Sequence, residues 1–264
     1  MANALIGYSG FVGGTLLRQA TFDEQFRSTN IGDIDGHSFD VVVCAGAPAQ
    51  KWIANQDPGT DRRHIDSLIG HLRTVDCNNF VLISTVDVFK DPVGVDEATP
   101  VDESGLHAYG LHRRMLERLV EEQFPRHLIV RLPGLVGPGL RKNVIFDLLN
   151  DNNLDTVDSR GIFQFYPMVN LWYDIGIALD AGLKLVHLAA EPISVADIAR
   201  ECFGRRFEQA PAKSPARYDM RTRHARKFGG SGHYQYGLRE TVQAIRAYAQ
   251  SEPLTVKPRP EAGP

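Results

Sequence analysis

Cysteine is scarce. Cys44, Cys77 and Cys202 stand far apart in 264 residues, with no CxxC pair and no Cys/His cluster. That offers no zinc site and fits a reducing compartment, here read as the cytoplasm. None of the nine histidines sits in an HxxxH pair that would suggest another metal. Excess charge of one sign is also missing. The net charge of −3 argues against nucleic-acid binding driven by bulk charge. No run approaches 18 apolar residues, so no membrane-spanning helix is expected. The start "MANALIGYSG" lacks a basic region followed by a long apolar stretch, so no signal peptide is read. No internal repeat and no linker between domains is visible.

What is present is an ordinary globular composition, 43% hydrophobic and 23% charged, with length for one large domain or two small ones. A short apolar run over 3–6 ends at Gly7 and reads as a buried strand. "GFVGGTLLRQA" then reads as a helix opening on glycines. Further continuous apolar strands are "DVVVCAG" (40–46), "FVLIST" (80–85) and "HLIVRLPG" (127–134), the last stopped by Pro133 and Gly134. Helical spacing appears over 59–76, with Ile65, Leu68, Ile69 and Leu72 on one face. It appears again over 107–123, with Leu111, Met115, Leu116 and Leu119. Buried strands alternating with amphipathic helices predict an α/β fold: a Rossmann-type, doubly wound parallel sheet. Beyond about residue 140 the pattern is irregular, as in a small C-terminal substrate-binding lobe. "SVADIARECFG" is a helix there with Ser194 as its N-cap, and "TVQAIRAYAQ" a last helix. One domain is read over 1–250, with the cofactor part over 1–140 and the lobe over 141–250. The proline-rich stretch 251–264 is read as a flexible tail.

Between the first strand and first helix lies "GYSGFVG", Gly7 to Gly13. A tight turn needs a residue without Cβ, and backbone approaching a pyrophosphate needs another. The helix N-terminus then offers free N–H groups to the anion. Gly7, Ser9, Gly10, Phe11, Val12 and Gly13 are therefore read as cofactor-binding. About 20 residues past the first glycine an acid favours NAD, whereas a base accommodates the 2′-phosphate of NADP. Arg27 and Ser28 occupy that place, with Asp33 and Asp35 a little further on. NADP(H) is favoured over NAD(H).

With that turn, "STVDVFK" and "YGLHR" resemble the extended short-chain dehydrogenase/reductase family, the nucleotide-sugar epimerases and dehydratases. "VRLPGLVGPG", "FQFYPMVNLWYDIGIAL" and "EPISVADIAR" extend the resemblance over nearly the whole chain to about residue 250. Within the family, "RSTNIGDIDG" and "KWIAN" look most like GDP-fucose synthase and related reductases that also epimerise. The resemblance implies hydride transfer between nicotinamide and a sugar carbon, with Tyr109 as the acid/base on the attached oxygen. Thr85, or alternatively Ser84, would hydrogen-bond that oxygen. It implies a cation one helical turn on, where the family has lysine and this chain has Arg113. A fixed positive charge there would lower the phenol pKa. Arginine keeps the charge but differs in shape and cannot relay protons. Asp87 falls where relatives place an extra acid/base, and Val86 replaces the aspartate that dehydratases carry one position earlier. That argues for epimerisation or reduction over dehydration.

"AGAPAQKWIAN" is read as following the fourth strand. Ala45, Gly46 and Ala47 are small, as expected beside a dinucleotide, and Pro133 is assigned to the cofactor as well. Lys51, Asn143 and Gln164 are assigned to the substrate by the resemblance. Helices 59–76 and 107–123 are the pair that relatives use to dimerise, so a homodimer is expected. Two other readings stand beside the nucleotide-sugar enzyme. One is a non-catalytic dinucleotide-binding sensor or scaffold that has lost the lysine. The other is an oxidoreductase on a small carbonyl compound, which the short lobe permits.

Overall fold

A computed structural model describes residues 1–252. The expected tail lies almost wholly outside the described residues. Within them, the last helix already includes Ser251.

The chain begins with β1 (Asn3–Ile6), α1 (Phe11–Gln19), β2 (Glu24–Phe26), β3 (Ser38–Cys44), α2 (Lys51–Gln56) and α3 (Pro58–Leu72). Next come β4 (Asp76–Thr85), β5 (Val93–Val95), α4 (Ala108–Gln123), β6 (His127–Leu132), β7 (Gly134–Val136) and α5 (Val144–Asn150). The lobe continues with β8 (Ile162–Phe163), β9 (Phe165–Pro167), α6 (Leu171–Asp180), β10 (Leu185–His187), β11 (Ile193–Ser194), α7 (Val195–Phe203), β12 (Asp219–Met220) and α8 (Leu238–Ser251).

Six strands form the central sheet in the order β10-β6-β4-β3-β1-β2, every pairing parallel. Side-chain alternation divides each strand between two cores. Ala4, Ile6, Val42, Phe80, Leu82 and Ile129 pack with Ile65 and Leu72 of α3 and Leu116 and Leu119 of α4. Leu5, Val43, Val81, Leu128 and Val130 face the other way, onto Leu16 of α1 and Leu171 and Ile175 of α6. Each such fully buried aliphatic side chain contributes roughly 1.5–3 kcal/mol, so the alternation fixes the register of every strand. The doubly wound expectation is met. A third cluster, with Ile145, Leu148, Ile198, Ile245 and Tyr248, is the core of the C-terminal lobe.

Two expectations need correction. The segment after "DVVVC" follows the third strand, not the fourth. Between β2 and β3 the chain makes only a short 3₁₀ turn, Ile31–Ile34, which leaves β2 at the sheet edge. Helical spacing over 59–76 also runs too far. The helix ends at Leu72 and Asp76 opens β4, because Asp76 pairs with Ser38 in the parallel ladder. Ser194 does cap α7, its hydroxyl accepting from the Asp197 N–H at 3.0 Å.

A parallel sheet places the C-terminal ends of all its strands along one edge. Gly7, Arg27, Ala45, Thr85 and Pro133 all lie along it, each at the end of a strand or one residue beyond. In open α/β sheets that edge, at the point where strand order reverses, is where ligands bind. Here the reversal lies between β1 and β3.

Candidate active site

The glycine turn is closed against itself. Gly7 has φ of +87°, and a Cβ there would lie 2.3 Å from the Ala45 carbonyl oxygen. A Cβ on Gly13 would lie 2.1 Å from the Gly7 oxygen. Both positions therefore require glycine. Gly10 is the N-cap of α1, no side chain caps the helix, and its first turn holds no acid. Helix N–H groups and dipole are thus left facing the sheet edge, a setting that suits an anion such as a pyrophosphate. Ser9, Phe11 and Val12 belong to the same turn. The residues present fit a dinucleotide.

Arg27 follows β2 directly and is exposed, its guanidinium 5.7 Å from the centroid of the Tyr8 ring. Asp35 is turned away, accepting from Thr74 at 3.1 Å and facing His71 Nδ1 at 2.8 Å.

Tyr109 lies in the first turn of α4. Its phenol is near enough to the Thr85 hydroxyl for that hydroxyl to pull its pKa down. Gly110 brings α4 there: a Cβ at that position would meet the Asp87 carbonyl oxygen at 2.0 Å. His107 caps the helix, Nδ1 accepting from Gly110 N–H at 3.0 Å, and Asn55 Oδ1 accepts from the Tyr109 N–H at 3.0 Å. Ser84 is the wrong hydroxyl, because alternation turns it away to donate to Glu117 at 2.6 Å.

Arg113 is stacked beneath Tyr109, its guanidinium carbon 4.0 Å from the ring centroid. It is only 3% exposed. One nitrogen donates to Asp61 Oδ2 at 2.5 Å, a second to the Pro48 carbonyl. His112 Nδ1 shares Asp61 Oδ2 at 2.7 Å. Arg113 does pull the phenol pKa down, as expected, but burial outweighs it. Burial raises the pKa, Arg113 and the Thr85 hydroxyl oppose, Asp87 adds to the rise, and the net shift is upward.

Asp87 stands beside Thr85, whose hydroxyl oxygen accepts from the Asp87 N–H at 3.1 Å. Its carboxylate accepts from Lys51 Nζ at 2.6 Å and from the Tyr218 hydroxyl at 3.1 Å. Lys51 also donates to Tyr218 at 3.2 Å. Burial works against the Lys51 ammonium, but Asp87 and Tyr218 outweigh it and raise its pKa. Tyr218 is pushed up by burial and by Asp87, against the pull of Lys51. His107 is pushed down, first by burial and then by Lys51. At neutral pH the cluster is therefore an ammonium and two protonated phenols around Asp87, with His107 neutral.

Lys51, Thr85, Asp87, Tyr109 and Arg113 are thus gathered at one place. Asn143 and Gln164 lie outside that cluster and are engaged by the backbone. Asn143 caps α5 and donates to the Leu135 carbonyl at 2.9 Å. Gln164 is buried, its amide nitrogen donating to Ala190 and Met220 carbonyls and its oxygen accepting from the Met220 N–H. Sequence reasoning missed Tyr218 and Asp61. Tyr218 meets Asp87 across 131 positions, with no local signal to mark it. Asp61 was visible only as one polar residue in the 59–76 pattern, and burial beside α4 gives it its part.

No protein-family model and no curated protein matches this sequence. Solved structures do. RMD from Pseudomonas aeruginosa complexed with NADPH is 17% identical, with a TM-score of 0.68 over 95% of this chain and 99% of that one. A dTDP-4-dehydrorhamnose reductase from Clostridium acetobutylicum is 17% identical, with a TM-score of 0.69 over the same shares. UDP-glucuronic acid 4-epimerase from Bacillus cereus in complex with NAD is 15% identical, with a TM-score of 0.68 over 95% and 98%. At these identities the likeness shows architecture: the chain has the fold of the NAD(P)-dependent nucleotide-sugar reductases and epimerases.

Proposed function

We propose that this chain is an NAD(P)-dependent reductase or epimerase of a nucleotide-linked sugar. The observation that carries the reading is the convergence of Thr85, Tyr109 and Asp87 at the sheet edge that also bears an uncapped, glycine-lined helix start. Bound there, a nicotinamide would supply or accept the hydride. Tyr109, protonated at neutral pH, would give a proton to the sugar oxygen during reduction, while Thr85 orients that oxygen. Asp87, steadied by Lys51 and Tyr218, would be the acceptor for a proton on carbon next to a transient ketone. Its removal by Asp87 would leave an enolate, and return of a proton to the opposite face, from a second donor or a bound water, would invert that centre. Ala45, Gly46, Ala47 and Pro133 would line the dinucleotide. Arg27 supports NADP(H) over NAD(H), because it is the charged group at the end of β2 while Asp35 is engaged elsewhere. Self-association through α3 and α4 would bring together a groove lined by Ile69, Met115 and Leu119 and by the charged Arg73, Arg118 and Glu122.

The test is incubation with NADPH or NADH and a panel of nucleotide-linked 4-keto sugars in D2O. Loss of the reduced-nicotinamide absorbance reads reduction. Deuterium gained at carbon reads the Asp87 step. Neither signal with any sugar, from a chain that binds dinucleotide, would contradict the proposal.

A further inference from the structure

We infer that Arg113 is not a stand-in for the helix lysine but a positioning residue, a clamp that holds the cofactor floor against the catalytic helix. This rests on the dinucleotide reading above. A lysine in that role would present its ammonium to the bound ligand. Arg113 does not: of its terminal nitrogens, one is held by Asp61 and the other by Pro48. Its flat face is covered by the Tyr109 ring. Three elements therefore meet on one guanidinium: α3 through Asp61, α4 through Tyr109, and the loop after β3 through Pro48.

That loop has few anchors of its own. Ala45 N–H donates to the Ile6 carbonyl at 2.8 Å, which ties its start to β1. Ala45 also packs so tightly on Gly7 that no side chain fits between them. Further along, two cations hold successive carbonyls: Arg113 on Pro48, and Lys142 from the C-terminal lobe on Ala49 at 2.7 Å. The loop then enters α2, which carries Lys51. Releasing Pro48 would loosen the path from the glycine turn to the reacting cluster, at its nicotinamide end. The adenosine end, at α1 and Arg27, would keep its supports. Lysine cannot make this clamp. Its ammonium is a point charge without the planar fork that reaches Asp61 and Pro48 on two separate arms, and it has no plane to stack on the phenol ring.

The experiment is fluorescence titration of wild type and the Arg113→Lys variant with NADPH, and separately with 2′,5′-ADP, which lacks the nicotinamide half. NADH and ADP replace them if NADH is the dinucleotide that wild type takes. The clamp predicts about tenfold weaker NADPH binding, with 2′,5′-ADP binding unchanged. NADPH binding as tight as wild type, or tighter, would show arginine to be a mere substitute for lysine and overturn the inference. Equal loss of both ligands would do so too, by showing a general structural role. Should Arg113→Lys fail to fold, Asp61→Asn carries the same test. It removes one anchor, and NADPH binding equal to wild type would overturn the clamp. Wild type that binds neither dinucleotide would instead defeat the enzyme reading on which the clamp rests.

Discussion

Two clusters in this molecule have the same three components, a cation, an aspartate and a tyrosine, and arrange them in opposite ways. In Arg113–Asp61–Tyr109 the cation lies under the ring face and its charge is closed off by a carboxylate, with Arg113 and Asp61 at 3% and 5% side-chain exposure. Neither bonds the phenol oxygen: of Tyr109, Arg113 reaches only the backbone carbonyl and the ring face. In Lys51–Asp87–Tyr218 the cation and carboxylate both bond the phenol oxygen, and Lys51 and Asp87 keep 39% and 16% side-chain exposure. A buried pair whose charges are closed on each other fixes geometry and gives up reactivity. A pair open to solvent keeps a carboxylate that a substrate can reach. On the proposed reading the charge that a substrate meets is that of the Lys51–Asp87 pair, while Arg113 holds the frame.

The largest effect expected on either cluster is that of Tyr109→Phe. Losing the positioned acid/base should lower kcat by roughly a hundredfold to ten-thousandfold, with NADPH affinity kept. Measured turnover within a few fold of wild type would move the acid/base role elsewhere, with Tyr218 the first candidate. Next is stability. Asp61→Asn leaves a buried guanidinium without its counter-charge and should cost about 3–5 kcal/mol. Asp87→Asn, in the open cluster, should cost less than about 1 kcal/mol. Urea unfolding of both variants checks the contrast, and equal losses would break it. In D2O with a turned-over sugar, Asp87→Asn should in turn abolish deuterium gain at carbon while reduction persists.

A smaller effect concerns pH, and it separates both clusters from a third, behind them. His187 is buried and its pKa is pushed from the usual 6.5 down to about 4, chiefly by burial. Its Nε2 faces an Arg131 nitrogen, which can only donate, so Nδ1 carries the proton toward the Arg221 carbonyl. In the unfolded chain the same histidine takes a proton first as pH falls. Its contribution to stability is thus full above about 6.5 and is lost progressively down to about 4. Glu117, held below its usual value by Arg131 and Ser84 against burial, extends the loss to still lower pH. His187→Gln should flatten the first part of that curve. A thermal-stability profile as steep as wild type would assign the acid sensitivity to other groups.

The open side of the comparison is also the one the sequence concealed. Strands β1, β3, β4 and β6 were legible as continuous apolar runs, because burial on both faces leaves no room for polar residues. The glycine turn was legible because its close contacts admit nothing larger. Tyr109 and Arg113 stood out by spacing on one helix. Tyr218 did not, since its partners come from α2 and from the end of β4. The short turn that replaces a strand between β2 and β3 was equally hidden, because "RSTNIGDIDG" is polar whether or not a strand runs through it. Gln164 and Asn143 looked like ligand-binding groups because resemblance locates a position and does not say what has saturated its hydrogen bonds.

Native mass spectrometry of the freshly purified chain, with NADPH and NADH added in turn, tests the central claim most directly. The account predicts one dinucleotide bound per chain, NADPH more tightly than NADH, and the same uptake by Tyr109→Phe. A chain that takes up neither dinucleotide would contradict it, and Tyr109 would then be a structural tyrosine stacked on an arginine.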